Sequence, residues 1–307
     1  MGLNERRYVP YAGPTTATWS RFLVLSRYAL RDVLRERLVV LLLVVSGIYP
    51  LGAALLIYAR YNLGFLALLN IQSADRFLPP IGVSFFEVLL VVQGVLAFFL
   101  TLFIAPPMIA RDLANNGLAL YLCRPLSRFE YVIGKMTALL WLLTCTTWLP
   151  GLLLWSLQAG MAGGGWGADH LRILLGIVVG SWLWMMVLAL LAFAISAWVR
   201  WKLAAKAALL GVFFIPSIFG NVIDARFATH WGRLLNLLEL MRVTCGGLFG
   251  NYTAGESVVA VYSNGQAIDV VVRDIPQWSA WAVLAVLCAT CVLMLSRKVR
   301  AYEAVRG

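Results

Sequence analysis

Charged residues are scarce in this sequence: only 13% of its 307 residues are Asp, Glu, Lys or Arg, while 62% are hydrophobic. At a mean hydropathy of +0.84 there is too little polar surface to cover a water-soluble fold, which excludes the soluble classes. Histidine is nearly missing, and His170 and His230 fall in different polar stretches. No H-E-x-x-H, no G-x-S-x-G and no zinc-type cysteine set occurs, so hydrolytic or metal chemistry is not expected. A phosphate-cradling G-x-x-x-x-G-K-[ST] loop is missing too: Gly134-Lys135 is followed by Met136, and no glycine stands five residues before Gly134. The chain is therefore expected to hold no cofactor and not to hydrolyse ATP by that route. Cysteine is sparse, with Cys145, Cys288 and Cys291 in apolar runs. The Cys288-x-x-Cys291 spacing suits a thiol pair, but inside an apolar helix it reads as packing by small soft side chains.

Six apolar runs have the roughly 20 residues needed to cross about 30 Å of hydrocarbon. They lie at about 38–59, 88–110, 136–161, 173–199, 203–223 and 278–296, which predicts an all-α integral membrane protein with six spans. The fifth run carries Lys206 near its start and Pro216 inside it, and a lysine near a helix end can snorkel to the interface. Lys and Arg outnumber Asp and Glu by 25 to 14, which in such a chain points to anionic lipid headgroups rather than nucleic acid. With the N-terminus inside, 18 of the 25 basic residues fall in residues 1–37, 111–135, 200–206 and 297–307. Because Lys and Arg resist translocation, both termini are expected in the cytoplasm, as in a multi-pass protein of the cell (inner) membrane.

No cleavable targeting peptide is expected, since the first 37 residues carry seven arginines and no separate apolar core before a cleavage site. Residues 19–37 instead predict an amphipathic helix lying on the membrane. Trp19, Phe22, Leu23, Leu30, Val33 and Leu34 share one face, and Arg27, Arg31 and Arg35 repeat every four residues on another. The outer connection, 224–277, predicts two further elements. In "WGRLLNLLELMRV" the apolar positions have helical spacing, with Arg233, Asn236, Glu239 and Arg242 on a polar strip, which predicts a small helix at the outer interface. In residues 257–272 two β-branched runs flank Asn264-Gly265, which predicts an external hairpin. Glu87 opens the second span and could meet a cationic group, although Ser84-Phe85-Phe86-Glu87 also has the form of a helix cap. Asn251-Tyr252-Thr253 has the glycosylation-acceptor pattern, which arises easily by chance.

Between the second and third apolar runs stands "IARDLANNGLALYLCRPLSRFEYVIGK", residues 109–135. Pro125 disfavours helix at Arg124, so a short helix over 113–122 would end there as a compact knob. Ser127 and Glu130 have capping-box spacing for the helix that follows. This stretch resembles the first cytoplasmic loop of the membrane subunits of type 2 ABC exporters. There an acidic residue, a glycine and a short leucine-rich helix lead to Arg-Pro-[Leu/Ile]-Ser-Arg and then Gly-Lys at the third span. The matching positions include Asp112, Gly117, Arg124, Pro125, Ser127, Arg128, Gly134 and Lys135. Many members carry Glu where this chain has Asp112.

The resemblance implies a permease subunit with a cytoplasmic N-terminus over 1–37 that contains the elbow helix, and spans one to five over 38–223, the coupling loop 111–135 lying among them. Outer elements over 224–277 and a sixth span with a cytoplasmic tail over 278–307 complete it. It implies a coupling helix whose contact with a separate ATPase uses Arg111, Asp112, Asn115, Asn116, Gly117, Tyr121, Arg124, Pro125, Ser127 and Arg128. The implied partners are two ATPase subunits, which would bind the ATP and Mg, and a second permease forming a homo- or heterodimer. Export follows from the resemblance alone. The 12 Trp fit a lipid-like or amphipathic cargo, but tryptophan gathers at interfaces in any membrane protein. Two other readings stay open: a noncatalytic scaffold or mechanotransmitting subunit, and a membrane-embedded lipid enzyme. The last is disfavoured because the spans offer little polarity beyond Gln93, Thr101, Thr144, Thr146 and Asn221.

The basic-residue distribution generates a topology test. A membrane-impermeant thiol reagent added outside intact cells should label cysteines introduced near Gly265 and spare those introduced near Asn116. The opposite pattern would reverse the orientation.

Overall fold

A computed structural model describes residues 21–62, 79–114, 128–199, 201–227, 230–252, 256–263, 266–273 and 275–301. Helix α1 (Arg21–Val33) buries Leu25, Ser26 and Val33 and leaves Arg27 and Arg31 exposed. It ends earlier than the arginine repeat suggests. Residues 34–36 form a turn, so Arg35 lies beyond the helix and not on a strip with Arg27 and Arg31. The physical reason is a change of pattern: α1 has two faces, whereas α2 (Arg37–Tyr61) is apolar all round, and one straight helix cannot suit both surroundings.

Among the described residues, six helical segments are long and apolar enough to cross a membrane: Arg37–Tyr61, Val83–Ile109, Glu130–Ala162, Leu171–Trp198, Lys202–Phe227 and Gln277–Arg297. The second lies within α3 (Val83–Ala114), which continues past its apolar part to carry Arg111 and Asp112 in its last turn. The third is built from two pieces, α4 (Arg128–Thr146) and α5 (Trp148–Ala162). They break at Thr147, whose φ and ψ are −109° and −91°. Pro150 has no N–H to offer the Thr146 carbonyl, so the regular ladder is interrupted there. On the near side of the break the Leu143 carbonyl accepts from the Thr147 backbone N–H at 2.9 Å and from the Thr146 and Thr147 hydroxyls at 3.0 and 2.7 Å. A short helix, α6 (Trp166–Asp169), then leads into α7 (Leu171–Trp198).

Helix α7 is the centre of the bundle, with buried residues along most of its length. Trp184 donates its indole N–H to the Gly94 carbonyl of α3 at 2.9 Å, and Ile177 fills the space left by Gly151 of α5. Helix α8 (Lys202–Phe227) follows, and Phe213 stacks on Phe98 of α3 with ring centroids 4.0 Å apart.

The structure has a helix where the outer-connection sequence predicts one, outside the six membrane-crossing segments, but not as a single piece. The stretch is divided at Asn236 into a 3-10 turn (Trp231–Leu235) and α9 (Leu237–Phe249). The Asn236 side chain accepts from the N–H groups of Leu238 and Glu239, capping α9. Helix α9 does not lie on the surface: Leu240, Val243, Thr244, Cys245 and Phe249 are buried against the bundle. Gly176 and Gly180 of α7 admit it, because a Cβ at either would meet the Phe249 ring at 2.7 Å or the Cys245 sulfur at 3.2 Å. Arg172 closes its end, donating to the Leu248 and Gly247 carbonyls at 3.2 Å each, the favourable place for a cation on a helix dipole. Its polar strip is neutralised locally, with Arg242 2.7 Å from Glu239.

Strands β1 (Glu256–Ser263) and β2 (Gln266–Arg273) pair antiparallel from Glu256↔Arg273 to Ser263↔Gln266. Asn264-Gly265 lies outside the described residues. Helix α10 (Gln277–Ala301) follows and packs on α7 and α9.

Pro50 lies inside α2 and cannot donate to the Ser46 carbonyl. Gln93, buried in α3, supplies the missing donor, its side-chain N–H reaching that carbonyl at 3.0 Å. Gln93→Leu is expected to destabilise the protein by about 1 kcal/mol in a thermal unfolding series in detergent, the scale of interhelical hydrogen bonds in membranes. In a Pro50→Ala background the helix supplies its own donor, and the same substitution should cost measurably less.

Candidate functional site

The N-terminal helix and two spans meet at one end of the bundle, and two side-chain bonds join them. Ser26 of α1 is buried and donates its hydroxyl to the Gly134 carbonyl of α4 at 2.6 Å. The next residue, Lys135, is only 6% exposed, and its ammonium donates to the Met108 carbonyl of α3. The Lys135 charge also lies 5.0 Å from the centre of the Tyr131 ring. Ser26, Gly134, Lys135 and Met108 thus link α1, α4 and α3 in a continuous collar. At the same end, Lys206 of α8 places its ammonium 4.6 Å from the centre of the Phe103 ring.

The collar frames the segment that carries the predicted coupling residues. Arg111 and Asp112 stand in the last turn of α3, one turn beyond Met108. Arg128 is the first residue of α4, and Glu130 lies in that helix's first turn. Asn115, Asn116, Gly117, Tyr121, Arg124, Pro125 and Ser127 lie outside the described residues, as does most of the predicted short helix over 113–122. Of the elbow arginines, Arg27, Arg31 and Arg35 are all exposed, the first two on α1 and the third in the turn after it. Sequence reasoning had matched Gly134-Lys135 only as part of a motif; Lys135 as a buried anchor was missed. The signal was present, because a lone lysine followed by an unbroken apolar run must find a partner or snorkel.

A second site lies nearer the other end. Glu87 is not part of an N-terminal cap with Ser84: α3 begins at Val83, so Ser84 is already inside the helix and the carboxylate falls in its second turn. Glu87 accepts instead from the Asn251 side-chain amide at 3.1 Å. It borders a cavity of about 190 Å³ whose walls include Leu90, Val95, Trp184 and Met241. The Ser181 hydroxyl lines this cavity, is buried and has no hydrogen-bond partner among the described residues. Cys245 of α9 is buried at the same place. Burial first, and the Glu87 carboxylate second, push its thiol up to about 12, so it stays protonated and inert at neutral pH.

Among the described residues no group of three or more His, Cys, Asp or Glu side chains is placed to hold a metal ion. The class that the six helices define is a multi-pass helical membrane protein. No protein-family model matches the chain, and no curated protein matches it.

The collar generates a test by hydrogen exchange. Ser26→Ala removes one buried hydrogen bond worth about 1 kcal/mol, so amides of residues 21–33 should exchange roughly fivefold faster. Amides of 237–249, which do not touch the collar, should be unchanged.

Proposed function

We propose that this chain is the permease subunit of a type 2 ABC exporter, driven by separate ATPase subunits and moving a lipid-like or amphipathic substrate. The observation that carries the reading is the collar. The two helices flanking residues 115–127 are joined to each other through Lys135 and Met108, and to α1 through Ser26 and Gly134. A force applied to the loop between them therefore reaches the second span, the third span and the N-terminal helix together. In this reading α1 is the elbow helix on the cytoplasmic leaflet, with Arg27 and Arg31 toward headgroups and Arg35 at the bend into the first span. Both termini are cytoplasmic, and the β1–β2 pair is external. The basic side chains of α1, Lys135, Lys202 and Lys206 at one end of the bundle support that orientation.

Arg111, Asp112, Asn115, Asn116, Gly117, Tyr121, Arg124, Pro125, Ser127 and Arg128 would form the contact with an ATPase. That partner, present in two copies, would bind ATP and Mg. ATP-driven closure of the ATPases would displace the loop, and the collar would pass the displacement to spans that line a pathway shared with a second permease. The same collar would serve a mechanotransmitting subunit that moves no solute, so the decisive readout is transport-linked. The chain should co-purify with an ATPase whose turnover rises with substrate.

Replacing Arg124 and Arg128 together with Glu should abolish that stimulation, because charge reversal at a partly desolvated contact costs more than at an exposed one. Membrane insertion should persist, since the other pieces expected in the cytoplasm retain 14 basic residues and Arg111 and Lys135 remain. A double variant that assembles and couples normally would remove these arginines from the coupling role. Turnover that never responds to any transported compound, with the ATPase still bound, would favour the mechanotransmitting reading.

A further inference from the structure

The cavity of about 190 Å³ that Glu87 borders lies between α3, α7 and α9, with the break of the third span at Thr147 on its wall. Val95, also on the wall, is about 18 Å along the axis from Val83, the first residue of α3, at 1.5 Å per residue. That is near the middle of about 30 Å of hydrocarbon. Its lip is apolar: Val91, Val95 and Leu238 are 49%, 36% and 38% exposed. The charges at the rim ask nothing of a ligand. Glu87 accepts from the Asn251 amide, and Glu239 accepts from Arg242. A charged ligand would have to break one of these contacts or lie unpaired among apolar walls, so the cavity suits a neutral one.

What the wall leaves unsatisfied is a hydroxyl. Serines and threonines inside helices often donate to the carbonyl four residues back, as Ser196 does to Ala192 and Thr244 to Leu240. Ser181 is 1% exposed, makes no such bond and has no other partner among the described residues. An orphaned buried polar group costs stability until something pairs with it. Thr147, buried on the same wall, donates its proton to the Leu143 carbonyl at 2.7 Å, so its oxygen can only accept. The Trp184 N–H is taken by the Gly94 carbonyl. A ligand that brings both a donor and an acceptor, as a hydroxyl does, suits this pair of oxygens, whereas a carbonyl or ether suits only Ser181. The size selects the body. An apolar cavity of about 150 Å³ admits benzene, and drug-sized ligands need roughly 300 Å³ or more, so one ring with a short substituent fits between. The Trp184 indole and the sulfur atoms of Met241 and Cys245 on the wall favour an aromatic ring over an aliphatic chain. We propose that this cavity binds a neutral single-ring phenol that enters past Val91, Val95 and Leu238 and pairs its hydroxyl with that of Ser181. This inference rests on the cavity and not on the exporter reading.

The test uses the full chain in membrane vesicles and a photoreactive probe, phenol carrying a para trifluoromethyldiazirine, with the labelled residues found by mass spectrometry. Labels should fall within 87–95 and 238–245 and be prevented by excess para-ethylphenol. Ethylbenzene, the same shape without the hydroxyl, should protect about fivefold less well at equal concentration in the membrane, the size of one buried hydrogen bond. Ser181→Ala should weaken protection by para-ethylphenol about fivefold and leave protection by ethylbenzene unchanged, a difference that loss of the fold would not produce. Val95→Phe, which narrows the mouth, should remove the labels from both stretches while labels elsewhere persist. The proposal is overturned if the two competitors protect equally, if Ser181→Ala leaves their ratio unchanged, or if the labels in these stretches resist competition.

Discussion

The backbone of a membrane-spanning helix has no water to turn to, so every carbonyl that loses its helical donor must be given another. Pro50 creates one such loss and Gln93 repairs it from the neighbouring helix. The same type of bond, a side-chain donor reaching a main-chain carbonyl across helices, recurs at other helix contacts. Trp184 reaches Gly94, Arg172 reaches the end of α9, Ser26 reaches Gly134 and Lys135 reaches Met108. Apolar packing alone discriminates weakly between neighbours when lipid tails are as greasy as the helices. Directed bonds of this kind fix which helix lies against which, and in what register.

The six membrane-crossing helices were legible because an uncharged run of the right length has few alternatives in water or lipid. The buried placement of α9 was not. Its polar strip looked like a surface face, but Glu239 accepts from Arg242 within the same helix and Asn236 is spent on the cap, so the strip asks little of solvent. What marked the burial lay elsewhere in the sequence. Gly176-x-x-x-Gly180 is a small-residue pair one turn apart, and such pairs admit a close neighbour. Phe249 and Cys245 occupy those two positions. Period and charge within one segment cannot reveal what a distant segment has left room for.

The arginine strip of α1 shows the complementary limit. A four-residue repeat was read through Arg35, yet the helix stops at Val33 because the next residues belong to a chain that must enter hydrocarbon. Periodicity tells which face a helix would have, and the neighbouring run decides where it ends. For the candidate site, the motif around Gly134-Lys135 was readable as a pattern, but its physical content, a buried ammonium holding a carbonyl of another span, depends on how α3 and α4 cross.

The interruption at Thr147 divides the labour of the third span. Its lower piece is held to α3 and α1 through Lys135 and Gly134, while its upper piece is seated on α7 where Ile177 meets Gly151. Because Pro150 cannot make the helical hydrogen bond to Thr146 that would bridge residue 147, the two pieces need not share one helix axis. The joint leaves the third span as two short rods whose directions can differ, and the Thr144 and Thr147 hydroxyls pin it to the Met185 sulfur of α7 at 4.0 and 3.4 Å.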